Sequence, residues 1–316
     1  MNKQCIYCES SKLDFVDDYK YEIDSDSKYL GDMKIYKCNE CDLIFSLPMP
    51  DIKNLDLFYK SIYRGRERPH YYSKFIKKYS YLFDINFEYI SFLTSNIDFN
   101  KINTIFDFGA GLGNLGYSLK KKYKHLEIYC LENDINCKDS LTNRGYKNFK
   151  NLDEINMKFD IVISLHVFEH LTDLKIINNL INLVQEQGYL FFEVPNCDFN
   201  EGYKKRIFDS PHLIFFNNKN LNNFFSKTNL SKIFLLNTSY SIQHDIYNQK
   251  LSKSRHNGLS IFSKIYQFLK KNEPYFIQKF RLKRKLLKNV LSEDRMKWYF
   301  NGGKKSRCIR GLYKKT

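Results

Sequence analysis

A glycine-dense turn after a buried strand is the feature that most constrains how this chain can fold. Residues 106–116 read Phe-Asp-Phe-Gly-Ala-Gly-Leu-Gly-Asn-Leu-Gly, and an apolar run, 104–106, leads into them. The pattern predicts a strand ending at Asp107, a tight turn, and a helix over 115–123 that Asn114 can cap. Glycines let a backbone approach a ligand closely, and a helix start offers free N–H groups. The segment is therefore typical of a nucleotide-binding loop in an α/β sheet.

Two registers of this loop fit different cofactors. Gly111, Gly113 and Gly116 match the dinucleotide pattern G-x-G-x-x-G, whereas residues 107–113 match motif I of class I S-adenosylmethionine (SAM) methyltransferases. The acid Asp107 would repel the dianionic pyrophosphate of a dinucleotide, but it would attract the sulfonium and ammonium groups of SAM. The charge therefore favours SAM, while an NAD-dependent sugar-modifying enzyme that uses the other register stays open as an alternative.

The residues that follow continue the pattern of a parallel sheet. The apolar run 126–131 ends at Glu132, where a carboxylate can accept hydrogen bonds from both hydroxyls of an adenosine ribose. The continuous apolar run 159–165 predicts a strand buried on both faces, and it leads into His166-Val-Phe-Glu-His-Leu. A helical pattern and another apolar strand, 189–194, come next. The order of these elements predicts alternating strands and helices around one sheet.

Together these segments resemble the class I SAM-dependent methyltransferases, in the subgroup that includes bacterial sugar, polysaccharide and quinone methyltransferases. The matching segments are FDFGAGLG, FDIVISLHVFEHL, GYLFFEVPN and SPHLIFFNNKNLNNFF. The resemblance implies an α/β fold with a doubly wound, mostly parallel, seven-stranded Rossmann-like sheet, a small N-terminal zinc module and a helical C-terminal extension. It implies SAM as the cofactor, bound through Asp107, Gly109, Ala110, Gly111, Gly113, Glu132, Asn133 and His166. One departure is the Lys-Thr-Asn-Leu of residues 227–230, where the subgroup usually carries an aromatic residue and Gly-Phe.

Four cysteines near the N-terminus form two C-x-x-C pairs, Cys5 with Cys8 and Cys38 with Cys41. Four thiolates suit tetrahedral zinc, and each pair can supply two ligands from one tight turn. The alternatives are disulfides or four unrelated cysteines; because no signal peptide precedes them and SAM would be intracellular, we do not expect disulfides. The subgroup often begins with such a segment, followed by an element like the Leu-Pro-Met-Pro of residues 47–50. The resemblance thus extends to residue 1 and implies a structural Zn²⁺.

We expect four parts along the chain: a four-cysteine zinc module (1–50), a helical connector or lid (51–100), the methyltransferase domain (101–250) and a basic helical extension (251–316). In the connector, the tyrosines could line a lid over the cofactor or form the core of small helices; they are Tyr59, Tyr63, Tyr71 and Tyr72. From residue 279 onwards, fourteen lysines and arginines face only Glu293 and Asp294. Such a segment can lie on an anionic membrane, bind nucleic acid, attract an anionic substrate, or dock on its own domain.

The candidate general bases are histidines. Methyl transfer to a hydroxyl needs the acceptor aligned with the sulfonium methyl and a group that takes up the proton. His166 and His170 follow the fourth strand of the domain and His212 lies in a later Pro-His-Leu segment; His212 is our first candidate for the base. Glu169 and His170 resemble a pair that often orders this loop in the subgroup, so a structural role is equally open. With His166 they also loosely resemble the Glu-x-x-Glu-His metal set of quinone-type members, but the first acid is replaced here, and we expect no metal at that set.

These features predict a SAM-dependent methyltransferase that acts on a hydroxyl, or second on a carbon, of a small-molecule or glycan-type acceptor. Residues 164–167 read Ser-Leu-His-Val instead of the Asn/Asp-Pro-Pro-aromatic typical of nucleobase amine methylation, so we do not expect a nucleic-acid partner. Nucleotide-linked sugars and surface-polysaccharide units are acceptors implied by the resemblance. An RNA methyltransferase that uses the zinc module and basic tail, and a non-catalytic SAM- and zinc-binding partner protein, stay open as alternatives.

No apolar run reaches the ~18 residues of a membrane span, so we expect a cytoplasmic protein, with residues 279–316 available for peripheral contact with an anionic inner membrane face. The sequence leaves the oligomeric state open.

Overall fold

The computed structural model describes residues 3–21, 24–59, 87–197, 211–238 and 308–316. The strands are β1 (Leu13–Asp18), β2 (Lys34–Cys38), β3 (Ile44–Leu47), β4 (Thr104–Phe108), β5 (Glu127–Leu131), β6 (Lys147–Phe149), β7 (Phe159–Leu165), β8 (Val184–Pro195), β9 (Ile214–Phe215), β10 (Leu230–Thr238) and β11 (Cys308–Lys315). The helices are α1 (Ser27–Leu30), α2 (Ile52–Leu57), α3 (Phe87–Asn96), α4 (Asn114–Lys122), α5 (Lys138–Asn143), α6 (Lys175–Leu183) and α7 (Asn218–Phe225).

A seven-stranded sheet with the order β10-β11-β8-β7-β4-β5-β6 forms the centre of the described fold. The strands from β8 to β6 pair in parallel, and β11 pairs antiparallel with both β10 and β8. The prediction of a doubly wound, mostly parallel, Rossmann-like sheet is confirmed. From β4 the chain moves outward to β5 and β6, and it then crosses to the other side of β4 to form β7. A crevice at such a reversal of strand order is where open α/β sheets bind ligands.

Strand β11 is the main departure from the sequence prediction. Residues 308–315, which we expected within a helical extension, lie in the sheet between β10 and β8. Gly311 pairs with Phe192, and a Cβ at Gly311 would come within 2.3 Å of the Phe192 ring, so this position requires glycine. The basic residues Arg310 and Lys315 are buried here, which leaves them outside any solvent-facing basic surface.

A second sheet, of order β1-β2-β3-β9, joins the cysteine-containing segment to the rest of the fold. Its last strand comes from far along the chain, because Ile44 pairs with Phe215 and Phe45 with Ile214. Next to this pairing, Ser46 donates its backbone N–H (2.8 Å) and its hydroxyl (3.2 Å) to the carbonyl of Leu213. These contacts fix the segment that carries His212 against the N-terminal sheet.

Several predictions fall on residues that the structure does not describe. Tyr63, Tyr71 and Tyr72 lie outside the described residues. Residues 279–307 of the basic segment also lie outside them. Among the helices that are described, none has both the length and the apolar character needed to cross a membrane.

Candidate active site

A cavity of about 400 Å³ lies at the carboxyl ends of β4, β5 and β7, a volume within the range of small-molecule sites. The β4 turn contributes Gly109, and the loop after β5 contributes Glu132, Asn133 and Asp134. The residues after β7 contribute His166 and His170, and Tyr59 lines the cavity from the connector. Five residues of the predicted site therefore line this cavity, together with one of the tyrosines for which the sequence left a lid role open.

The glycine turn has the conformation that its sequence requires. Gly109 has a left-handed φ of 72°, and a Cβ there would come within 2.4 Å of the Val167 side chain. Gly116 has a different task, because a Cβ at this helical position would lie 2.3 Å from the hydroxyl of Tyr146. The glycines of the SAM register therefore shape the turn, whereas Gly116 permits close packing of α4.

The start of α4 differs in detail from the prediction. Gly113, with a left-handed φ of 70°, occupies the N-cap position, and no side chain caps this helix. Asn114, our expected cap, is the first helical residue and accepts a hydrogen bond from Arg144 Nη1 at 2.6 Å. The expected capping role was wrong because the helix begins one residue earlier than the sequence suggested, at Asn114 itself.

Glu132 ties the two loops at the cavity together. Its Oε2 accepts a hydrogen bond from the Gly111 N–H at 2.7 Å, and its Oε1 accepts one from the Asp134 N–H at 2.9 Å. Because each carboxylate oxygen has a second lone pair, Glu132 can still accept hydrogen bonds from a ligand in the cavity.

Asp107 lies behind the glycine turn at the end of β4, and its side chain is buried. It is not among the residues that line the cavity. Burial, together with the negative charge of Glu132, raises the pKa of Asp107 to about 7. A cation that enters the cavity would stabilise the ionised form of this carboxyl, which is the electrostatic relationship the sequence predicted for SAM.

His166 faces the cavity between two carboxylates. Its Nε2 lies 3.3 Å from Glu193 Oε1 and its Nδ1 lies 3.6 Å from Glu169 Oε1. Burial lowers the pKa of His166, but the close contacts and charge attraction of Glu169 and Glu193 outweigh that effect and raise it to about 10. An imidazolium has no lone pair with which to take a proton, and this weighs against His166 as a general base.

The sequence did not predict the buried ion pair between Glu193 and Arg310, which lies behind His166. Glu193 on β8 accepts hydrogen bonds from Arg310 and from the Tyr89 hydroxyl, the latter at 2.6 Å. Burial raises the pKa of Glu193, but the charge of Arg310 and the contact with His166 lower it to about 2. The one available signal was a glutamate inside an otherwise apolar strand, since an acid buried in a sheet needs a cation beside it.

A second polar cluster joins two predicted bases. The rings of His170 and His212 lie 4.9 Å apart between centroids, and Glu169 lies beside both. Two bonds align their segments: the Leu213 N–H donates to the Glu169 carbonyl at 2.7 Å, and His170 Nδ1 lies 3.4 Å from the Pro211 carbonyl oxygen. Burial lowers the pKa of His170 to about 4, so this ring is neutral at physiological pH.

The four predicted zinc ligands also come together. The sulfurs of Cys5 and Cys41 are 3.5 Å apart, as are those of Cys8 and Cys38. Tetrahedral zinc with Zn–S bonds of ~2.3 Å separates its sulfurs by about 3.8 Å, whereas a disulfide needs ~2.05 Å. The two knuckles also share one backbone form, because Glu9 and Asp42 each follow the second cysteine with a φ of 60°. The donor set therefore fits a zinc ion and does not fit disulfides.

The comparisons with known proteins agree with this architecture. The model of the methyltransferase domain family matches residues 66–236, more than half of the chain. The chain belongs to this family. The family and the fold together make it a class I methyltransferase domain with SAM as its methyl donor, so the predicted class is confirmed. No curated protein matches the chain.

Solved structures of methyltransferases resemble the fold of this methyltransferase domain at low sequence identity. Phosphoethanolamine N-methyltransferase 2 of Haemonchus contortus, solved with S-adenosyl-L-methionine, is 13% identical, with 86% of this chain and 62% of that chain covered and a TM-score of 0.49. The plantazolicin methyltransferase BamL is 14% identical, with coverages of 82% and 94% and a TM-score of 0.47. The O-methyltransferase of a Brevibacillus brevis multienzyme is 13% identical, with coverages of 72% and 71% and a TM-score of 0.43.

Proposed function

We propose that this chain transfers the methyl group of SAM to a hydroxyl oxygen of a small-molecule or glycan-type acceptor, with a carbon acceptor as the second choice. The observation that carries the proposal is the cavity at the ends of β4, β5 and β7, where the glycine turn and Glu132 on one side face His166 and His170 on the other. One side has the groups that a nucleoside requires, and the other has groups suited to moving a proton.

The cofactor side of the cavity would hold SAM through the predicted residues. Glu132 would accept hydrogen bonds from the ribose hydroxyls, with Asn133 beside it in the cavity wall. The backbone of residues 109–113 would lie against the methionyl part, and Asp107 would stabilise its positive charge through the turn. His166, a cationic donor in the same wall, would contact the cofactor.

The acceptor side would lie at His170 and His212. SAM, when bound, supplies a methyl group on a sulfonium, which leaves as the neutral thioether S-adenosylhomocysteine once the acceptor oxygen has attacked. The acceptor hydroxyl must lose its proton in that step, and the proton would be lost at the His170–His212 pair. The choice of a nucleotide-linked sugar or polysaccharide unit as acceptor is supported by the motif resemblance alone.

The N-terminal cysteines would hold a structural zinc ion. We propose Cys5, Cys8, Cys38 and Cys41 as its ligands, because their sulfurs lie within 4.8 Å of one another. The ion would stabilise the sheet β1-β2-β3-β9, which positions the His212 segment. Its role would be in folding, because a site with four protein ligands leaves no position for a substrate.

The basic C-terminal segment is proposed to contact an anionic inner membrane face from the cytoplasmic side. Two of its charges, Arg310 and Lys315, are buried in β11 and cannot take part. Their burial lowers the charge available both to this proposal and to the RNA methyltransferase alternative, which depends on the same basic residues.

A transfer assay with methyl-labelled SAM tests the proposed function. We would offer nucleotide-linked sugars, polysaccharide fragments, hydroxylated small molecules and RNA in parallel, with Gly109→Val as a control that blocks the turn. Label in a methyl ether of one hydroxylated acceptor is the expected result. Label in RNA alone, or in none of the acceptors while SAM is bound, would contradict the proposal.

A further inference from the structure

Glu169 is a buried carboxylate that lacks hydrogen bonds. Its side chain is 2% exposed, and neither oxygen accepts a hydrogen bond from any residue that the structure describes. Burying a carboxylate costs several kcal/mol unless cationic groups lie beside it, and the His166 ring supplies one such charge at 3.6 Å from Oε1. The turn Phe168–His170 nevertheless places this group in the protein interior, beside the cavity.

The distance from Glu169 to His170 suits a shared ion better than a shared proton. Glu169 Oε1 lies 3.9 Å from His170 Nε2. That separation exceeds the 2.7–3.2 Å of a hydrogen bond. Two ligand atoms that each lie ~2.1 Å from one metal ion are separated by about 3.0–4.2 Å, depending on the coordination angle. The pair therefore has the spacing of two ligands of one ion.

His212 adds a third donor from another part of the chain. Its ring nitrogen and the ligand atoms of Glu169 and His170 all lie within 4.8 Å of one another. His170 also turns its other nitrogen, Nδ1, towards the Pro211 carbonyl, the outer contact that typically fixes the ring of a metal-bound histidine. The backbone bond from Leu213 to Glu169 holds the two segments in this arrangement.

We propose that Glu169, His170 and His212 bind one divalent first-row metal ion at the border of the cavity, separate from the four-cysteine site. Two imidazoles and one carboxylate form a donor set suited to Mn²⁺, Fe²⁺, Co²⁺ or Zn²⁺, and three protein ligands leave positions open for an acceptor oxygen. This set differs from the one suggested by the sequence, because the ligand atoms of Glu169 and His170 come together with that of His212, whereas His166 groups with Glu193 and Cys308.

The role of this ion rests on the proposed function. Since His170 lines the cavity, an ion bound to it can meet the hydroxyl of an acceptor and lower its pKa. The hydroxyl proton then leaves to water, the oxygen bonds to the methyl carbon, and the electrons of the C–S bond return to sulfur. In this form of the reaction, His170 and His212 act as ligands, and no histidine takes up the proton.

Titration of the full chain with Mn²⁺, after loading one equivalent of zinc for the four-cysteine site and removing any excess, tests the site directly by electron paramagnetic resonance. Mn²⁺ avoids thiolates, so the four-cysteine site does not contribute to the signal. We expect one bound Mn²⁺ per chain, affinity lowered at least tenfold in Glu169→Gln and in His212→Gln, and no change in Glu154→Gln, an exposed carboxylate. Methyl transfer by the chain that holds only the four-cysteine zinc ion should rise on addition of Mn²⁺.

Two outcomes would overturn the inference. One is a wild-type chain that binds no Mn²⁺ and keeps its full transfer rate in a chelator, which would make His212 a general base. The other is Mn²⁺ binding that survives both substitutions. Calorimetry with SAM on the same samples separates the two proposals: SAM binding without a metal ion defeats only this inference, whereas failure to bind SAM defeats the proposed function itself.

Discussion

Arg310 holds a single carboxylate oxygen of Glu193 through a hydrogen bond from Nε at 2.8 Å and an ion-pair contact from Nη2 at 2.7 Å. Both side chains are 3% exposed. The other oxygen of Glu193 accepts the Tyr89 hydroxyl and contacts His166 in the cavity wall. One carboxylate thus connects the last strand of the chain to the cofactor site.

Substitution of Arg310 should strongly destabilise the protein. Arg310→Leu leaves Glu193 buried without its counter-charge, which typically costs about 3–5 kcal/mol in the free energy of unfolding. Denaturant unfolding measures this loss. As a control, Lys147→Leu breaks an exposed pair of similar length, Lys147 with Glu127 at 2.8 Å, and should cost less than about 1 kcal/mol. Equal losses in the two variants would show that burial of the Arg310 pair has no energetic importance.

His166 should remain protonated well above neutral pH. Its pKa is raised to about 10, so its interaction with Glu169 and Glu193 stabilises the folded state fully below its ordinary pKa near 6.5. That stabilisation is lost as the pH rises through about 10. The free energy of unfolding of the wild type should therefore fall between pH 8 and 10 more than that of His166→Gln. A ring that titrates near pH 6.5 by NMR would refute the assignment.

The carboxylate of Asp107 should lower the stability of the folded protein and strengthen its binding of the cofactor. Its pKa is raised to about 7, so its ionisation opposes folding: the stabilising effect of the protonated carboxyl is complete below the ordinary pKa near 3.8 and is lost as the pH rises through 7. At pH 8, Asp107→Asn should raise the melting temperature by several degrees and weaken SAM binding at least tenfold.

Asp160 provides the matched control for Asp107. It is also buried, but it accepts hydrogen bonds from the Asn103 and Thr104 N–H groups at 2.8 Å. Asp160→Asn should therefore lower the melting temperature. A lower melting temperature in both variants at pH 8 would contradict the proposed burial cost at Asp107.

Metal analysis should find one zinc ion per chain at the four-cysteine cluster. Cys38→Ser removes one of four thiolate ligands, so zinc content should fall and the N-terminal sheet should lose stability. Cys137→Ser is the matched control, since Cys137 is equally buried but lies outside the cluster. A folded, metal-free wild-type protein would disprove the zinc proposal.

Local patterns in the sequence predicted the elements that depend on neighbouring residues. The strand–turn–helix at residues 104–122, the buried strand β7 and the paired cysteines all follow from short-range rules of polarity and spacing. The partners that β11 and β9 find across the chain were not predictable in this way. Nothing near Arg310 signals that it will meet Glu193, because cross-strand pairing depends on the topology of the whole sheet.

For the candidate site too, the sequence predicted single residues but not the contacts between distant segments. The sequence identified Glu132, His166, His170 and His212 as separate residues, but it could not show that Glu169 lies among the histidines without a hydrogen bond. That relationship depends on the docking of residues 211–215 against the N-terminal sheet, a contact between distant segments.

Calorimetry with SAM and with NAD tests the central claim most directly, because the glycine loop fits either cofactor by pattern and only its charge decides between them. The account predicts that SAM binds with a dissociation constant in the micromolar range, that Glu132→Ala weakens this binding, and that NAD does not bind. Binding of NAD without binding of SAM would contradict the account.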